Sequence, residues 1–422
     1  MEPKFLHRMP IVVLVLLVFA LLMIGGPPAE SQKKVATFWT DRGGDYLPFF
    51  KAFMTKYADV DLQITVYQQE DYKSQCRLAL SAGTGPDVWH TNNGSSHTQF
   101  IESGGAMDIT DIAQQRKWTS RVDPQSLKTC VRDGRLYALP WGGFFPWQSL
   151  FANKEFFKAN GIPYPKTVDE LIAVCRQIRA KGMQPIAWGN KDWWPGEVLF
   201  GDFMMQLRDP SVVNDLNSGK LKWTDCKEAA QVFDTLAKLA KGGVFSDGYE
   251  TQDHVAAIQA WTGKKAAFLY MGTWFYGFFV KEPITFEVET IALPLIQTGL
   301  TLKGVQLYPD PVIFPNAKTK VKDIALNLFD HLTTVPFYQL ESKINTCFTA
   351  SPEANKTVNL PAWLKSPVLI NQMTMPQSNY WTVSFPVPVE EAFGRQIGAV
   401  MGGQATTAQA LQQVEEAHAQ HR

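Results

Sequence analysis

From Val35 to His90 the apolar residues change period in the order strand, helix, strand, helix, strand, which neither an all-helical nor an all-β fold accommodates. The strand KVATFW ends in the turn TDRGG, after which Asp45 is placed to cap a helix. On that helix Tyr46, Leu47, Phe50, Phe53, Met54 and Tyr57 form one apolar face, and Pro48 is tolerated in its first turn. DLQITVY alternates Leu62, Ile64 and Val66 as a half-buried strand. A second helix from Tyr72 to Leu80 is broken by Gly83, Gly85 and Pro86, and DVWH opens a third strand. Such alternation builds a mostly parallel sheet, whose ligands lie beyond the carboxyl ends of its strands. That rule selects Trp39 and Asp41 after the first strand, and Asn92 and Asn93 after the third.

The chain has 422 residues, more than one core usually serves, so two lobes are expected. The middle is richer in aromatic residues. There Thr167 and Glu170 make a capping box, with Leu171, Val174, Cys175 and Ile178 as the buried stripe and Gly182 as the stop. Further amphipathic helices fit KTKVKDIALNLFDHLTT and the segment from about Thr407, where Ala410, Leu411, Val414 and Ala417 share a face. No repeat or low-complexity linker separates the halves, so the lobes are expected to be interleaved.

Charge excludes one class of partner: 40 Lys and Arg balance 40 Asp and Glu, so no nucleic-acid partner is expected. Lys4, His7 and Arg8 precede an apolar run from Ile11 to Ile24, and Ala29-Glu30-Ser31 offers a small-residue processing site. Residues 1–31 therefore read as an export signal to the periplasm, with an uncleaved membrane anchor as the alternative. Cys76, Cys130, Cys175, Cys226 and Cys347 have irregular spacing and no metal-binding pattern, which leaves one or two disulfides or buried thiols open and implies no metal and no cofactor. GxSxG, HExxH and Walker motifs are absent from the sequence, which reads as a non-enzyme.

GRLYALPW, SLFANKEFFKANGI, YPKTVDELIAVCRQIRAKGMQPIAWG, GKKAAFLYMGTW, ALPLI, KTKVKDIALNLFDHLTT and ATTAQALQQVEEA follow in an order that resembles the family 1 extracellular solute-binding proteins, the maltose-binding-protein-like receptors of ABC importers. The resemblance implies an α/β, two-lobed periplasmic binding protein fold, type II-like, with a ligand cleft between the lobes and hinge crossings. It implies a first lobe of residues 35–142 plus 265–313 and a second of 143–264 plus 314–422. It further implies a monomer that captures a solute and passes it to the permease subunits of an ABC transporter. LFANK keeps Asn153 but lacks the tyrosine of the commoner LYYNK.

A sugar presents C–H-rich faces and a rim of hydroxyls, so its receptor needs flat apolar platforms and planar polar groups. Trp39 with Asp41 combines the two. Asp87 could read a ligand or bond the turn it follows, and Asn92 and Asn93 could do either as well. PWGGFFPW contributes Trp141 and Phe145, with Gly142 and Gly143 allowing close backbone approach or hinge rotation. Trp193 and Trp194 stand together in a loop, while Tyr308 and Asp310 lie where the resemblance has the chain recross between lobes. Mostly Trp, Phe, Asp and Asn, these loops suit a neutral saccharide or polyol better than an anion, with Arg42 and Lys191 as exceptions. A sensory sugar receptor uses the same chemistry, and a carbohydrate-active enzyme would need two carboxylates at a defined separation.

Between Lys265 and Lys281 fifteen residues carry no charge, and seven are aromatic. AAFLYM reads as a buried strand of the first lobe, Gly272 as a turn, and Thr273 as the cap of a short helix from Trp274. The resemblance places Gly272 and Trp274 at the ligand; Tyr276 is a further candidate beside them, and Phe275, Phe278 and Phe279 read as core.

Overall fold

A computed structural model describes residues 33–421, apart from 93–94, 145–148, 281–282, 308–309, 379 and 382–383. The export signal of residues 1–31 lies outside the described residues. As the alternating pattern requires, β1 (Lys34–Thr40) pairs in parallel with β2 (Val60–Val66) and with β3 (Val88–Thr91). Helices Leu47–Lys56 and Gln69–Ser81 make the crossovers. Asp45 does not cap: a turn of 3-10 helix at Gly44–Tyr46 leads directly into the first helix.

A small hairpin of β4 (Val131–Arg132) and β5 (Arg135–Leu136) precedes β6 (Leu139–Phe144), from which the chain leaves the first sheet. β7 (Ser149–Asn153), β8 (Gln184–Ala187), β9 (Ala266–Leu269) and β10 (Val288–Ala292) form a second sheet in the order β10-β7-β9-β8. The chain then returns through β11 (Val305–Gln306) to β12 (Asp310–Pro315), which runs antiparallel between β3 and β6. β13 (Phe348–Thr349) closes the first sheet as β13-β6-β12-β3-β1-β2, and β14 (Gln377–Ser378) pairs with β11.

The two lobes are interleaved, but their sequence boundaries differ from the expected ones. Ala266–Leu269 is a fully buried strand, yet it pairs in parallel with β8 and antiparallel with β7, so residues 266–292 belong to the second lobe. Conversely, helices Lys322–Leu332 and Val335–Asn345 bury Leu328, Phe329, Phe337 and Tyr338 in the first core. One hydrophobic core gathers residues from 36 to 141 and 305 to 354, and the other from 150 to 293 and 360 to 414. The period of a short apolar strand announces burial without naming its neighbours, which is why AAFLYM was legible as a strand and not as a member of this sheet.

Local chemistry agrees with the pattern elsewhere. The Thr167 hydroxyl accepts from the Glu170 amide at 3.3 Å, and the Glu170 carboxylate reaches one residue further back, accepting from the Lys166 amide at 2.7 Å. Thr406 and Gln409 complete a reciprocal box on the last helix, Thr407–Ala419, which buries His418 and leaves Ala417 half-buried. Gly142 serves strand packing: a Cβ there would lie 1.7 Å from the Asp310 carbonyl oxygen across the β6–β12 pair. All five cysteines are buried and free.

Candidate functional site

At the carboxyl edge of the first sheet, β1 delivers Asp41 beside His90 of β3, with Oδ1 to Nε2 at 3.3 Å. The Thr40 hydroxyl lies 3.1 Å from the same nitrogen. Burial pushes the His90 pKa down, against the pull of the Asp41 carboxylate. Burial opposes charge on Asp41 too, but His90 and Arg42 outweigh it and hold the carboxyl at about 2. One strand further along, Asn92 donates from Nδ2 to Asp310 Oδ2 at 2.7 Å.

Behind this edge lies a buried polar cluster. Arg42 pairs with Glu341, which also accepts from the Tyr46 hydroxyl at 2.6 Å and from Asn345 Nδ2 at 2.9 Å. The guanidinium lies 4.5 Å from the centre of the Trp141 ring, which stacks on Phe337 at 4.9 Å. Tertiary packing thus occupies Arg42, the cation next to Asp41 in the chain.

The second lobe contributes an aromatic wall. Helix Trp194–Leu207 begins with Pro195 in its first turn, after Trp193 in left-handed backbone, and carries the half-buried Trp194. The Trp194 ring lies 6.1 Å from Trp274 and 5.2 Å from His254. Phe279 meets Trp274 at 5.6 Å and His254 at 5.5 Å. Four rings from three helices or their ends therefore form one half-exposed cluster. His254 follows the N-cap Asp253 on helix His254–Thr262, and its Nδ1 is buried without a hydrogen-bond partner.

The walls meet through helix Phe275–Phe279, where Gly277 touches the backbone of Asn345 at the end of the first-lobe helix. Asn345 bonds Tyr46 and Glu341, and Glu341 binds Arg42, the neighbour of Asp41.

The expected residues are distributed as follows. Asp41, Asn92 and Asp310 share the carboxyl edge of the first sheet, and Trp39 stands half-buried nearby against Tyr67. Trp194 and Trp274 share the wall. Trp193 is 39% exposed beside Arg395 and Gly394 of helix Val387–Met401. Gly272 makes a buried turn, its carbonyl accepting from Phe275, and Tyr276 is half-buried against Trp363.

Other expectations require correction. Asp87 sits before β3, at its amino end, and its carboxylate is taken by Thr37 and Thr319, so it fastens the sheet's far edge. Trp141 is fully buried, with its indole N–H donating to the Leu332 carbonyl. Two further tryptophans, Trp188 directly after β8 and Trp381 late in the chain, are also fully buried and are not available to a ligand. Thr273 makes no side-chain cap on helix Phe275–Phe279, whose N-cap is Trp274. Phe275 is core, as expected, whereas Phe279 is 37% exposed and belongs to the wall. Asn93, Phe145 and Tyr308 lie outside the described residues.

His90 and His254 were not legible as site residues, since a lone histidine carries no motif. Only the Asp253-His254 start of a helix marked the second position. Among the described residues, no group of three or more His, Cys, Asp or Glu is placed to hold a metal ion, and no helix is long and apolar enough to cross a membrane.

The model of the bacterial extracellular solute-binding protein family matches residues 39–336. An ABC transporter extracellular-binding protein of Pyrococcus horikoshii is 24% identical over 291 residues, covering 68% of this chain and 65% of its own length. A "probable sugar-binding periplasmic protein" of Brucella melitensis is 25% identical, covering 62% of this chain and 63% of its own. This chain thus spans about two thirds of those relatives. Among solved structures, a chitin oligosaccharide binding protein superposes with TM-score 0.80 at 17% identity over 92% of this chain and 99% of that one. One from a study of xylan utilization by Caldanaerobius polysaccharolyticus gives 0.77 at 21% identity, over 90% and 99%. The solved structures establish the two-lobed α/β fold.

Proposed function

Because the chain belongs to the bacterial extracellular solute-binding protein family, we propose that it captures a neutral carbohydrate, a sugar or polyol, between its lobes and delivers it to the permease subunits of an ABC importer. One observation carries the reading: a half-exposed aromatic wall of Trp194, Trp274, His254 and Phe279 is linked across the lobe boundary to an edge bearing Asp41, Asn92 and Asp310. Rings offer platforms for C–H faces, while carboxylates and an amide accept from and donate to hydroxyls in the plane of a sugar.

The state of Arg42, the cation next to Asp41 in the chain, supports a neutral ligand. Arg42 is bound by Glu341 and covered by Trp141, so it is not available to pair with a ligand carboxylate or phosphate. The names of relatives point the same way, toward sugars and ABC transport.

The test is a thermal-shift screen of the exported chain against galactose, maltotriose, xylotriose, chitotriose and a series of polyols, followed by calorimetry of any that raise the melting temperature. Stabilisation by a neutral member is expected. Stabilisation only by anionic or peptide ligands would overturn the proposal. Delivery is measured as sugar-dependent stimulation of the importer's ATPase by this protein in proteoliposomes.

A further inference from the structure

We propose that Gly277 is a positioning residue that sets how far the two lobes close on each other, because only a residue without a Cβ lets the second lobe seat against the first. A Cβ built at Gly277 would lie 2.1 Å from the Asn345 carbonyl oxygen, 2.4 Å from its carbon and 2.6 Å from Asn345 Cα. All three are backbone atoms, so no side-chain rotation relieves the overlap.

Both partners are anchored in their own cores. On the Gly277 side, Phe275 is fully buried, with Phe151 at 5.4 Å and Trp261 at 5.8 Å, ring centre to ring centre. On the Asn345 side, Phe337 stacks on Trp141 and the Tyr338 hydroxyl donates to the Pro140 carbonyl. The Asn345 side chain adds bonds from Nδ2 to the Tyr46 hydroxyl at 2.7 Å and to Glu341 at 2.9 Å, fixing the helix end. Glycine weakens a helix interior relative to alanine, and this helix has only five residues, so Gly277 runs against local preference. The contact it permits joins the two cores close to a crossing, since Asn345 lies just before β13, which pairs with β6 at Phe144 where the chain leaves the first sheet. Adding one methyl group at Gly277 must therefore either tilt one lobe or displace a helix end held by two polar groups, Tyr46 and Glu341.

The inference concerns lobe geometry and does not depend on ligand identity. Spin labels are placed at Lys343→Cys on the first-lobe helix and Gln259→Cys on the second-lobe helix, both exposed positions. The native cysteines are all buried and stay unlabelled in the folded protein. Pulsed electron resonance then reports the interlobe distance in the full chain without ligand. In the Gly277→Ala background the short-distance population is expected to fall about tenfold, the factor that overpacking by one methyl typically produces. The radius of gyration in X-ray scattering should rise with it. An unchanged distance distribution in a variant with native circular dichroism would overturn the inference. Should Gly277→Ala fail to fold, Asn345→Ala removes the bonds that hold the carbonyl. It is expected to broaden the short-distance peak, and a peak as narrow as the parent's would count equally against the proposal.

Discussion

The indole rings of Trp194 and Trp274 meet at 6.1 Å with their planes tilted by 48°, each on a different helix end of the second lobe. Neither ring is fully buried, and His254 and Phe279 close the cluster on the other side. Such a surface costs free energy when left to water and regains it against the C–H face of a sugar. Trp274→Ala is expected to weaken binding of the tightest neutral sugar from the thermal-shift screen by about tenfold or more, in line with about 1.5 kcal/mol for a stacked aromatic. Calorimetry with circular dichroism checks it, and unchanged affinity removes Trp274 from the site.

Glu341 serves Arg42, Tyr46 and Asn345 at once, and its side chain is fully buried. Glu341→Ala leaves a buried guanidinium unpaired and is expected to cost about 3–5 kcal/mol of stability. Arg42→Lys keeps the charge but loses the flat stacking on Trp141, so a smaller loss is expected. Urea midpoints of the two variants against the parent give the order. A Glu341→Ala protein as stable as the parent would show that the cluster contributes nothing net.

Much of the first lobe was legible because each element repeats its own period over enough residues. The helix of Phe50 and Phe53 and the parallel strands of Phe38 and Trp89 are such cases. The lobe boundaries were less legible, since Ala266–Leu269 is as apolar as any central strand and its partners, β7 and β8, lie far away in sequence. Site residues divided along the same line. Asp41 and Asn92 follow from the carboxyl-end rule, whereas Asp87 next to a strand's amino end resembles them in composition and differs only in polarity of the strand. Trp141 and Trp194 cannot be told apart by residue type: one fills the first core and the other stands half-exposed.

Burial of Cys76, Cys130, Cys175, Cys226 and Cys347 as free thiols makes a direct chemical prediction. In the native protein a thiol reagent such as DTNB should react with none of them at neutral pH, because burial pushes every thiol pKa up and leaves little thiolate. In guanidinium chloride all five should react. Fewer than five under denaturing, non-reducing conditions would mean that a disulfide forms after export.

Helix Trp194–Leu207 buries two carboxyl groups, and their environments imply a decline of stability with rising pH. Burial lifts Glu197 to about 8, and it lifts Asp202 to about 7 although Tyr270 and Gln306 donate to it. The unfolded groups ionise near about 4, so between that pH and the folded values the native state binds more protons than the unfolded one. Stability is then highest on the acid side and falls as pH rises, by about 1.4 kcal/mol per pH unit for each titrating group. Burial lowers the pKa of His90, His254 and His331, which opposes the trend below about 6.5, where unfolded histidines take up protons. Above pH 7 Glu197 carries most of the remaining slope, so the melting temperature should drop from pH 7 to 8 and level off by about pH 9. Glu197→Gln should flatten the interval, while Asp202→Asn should leave it sloping and reduce the slope from pH 6.5 to 7. Melting curves of the three proteins from pH 6 to 9 decide the matter, and a parent curve flat from pH 7 to 8 would refute the assignment to Glu197.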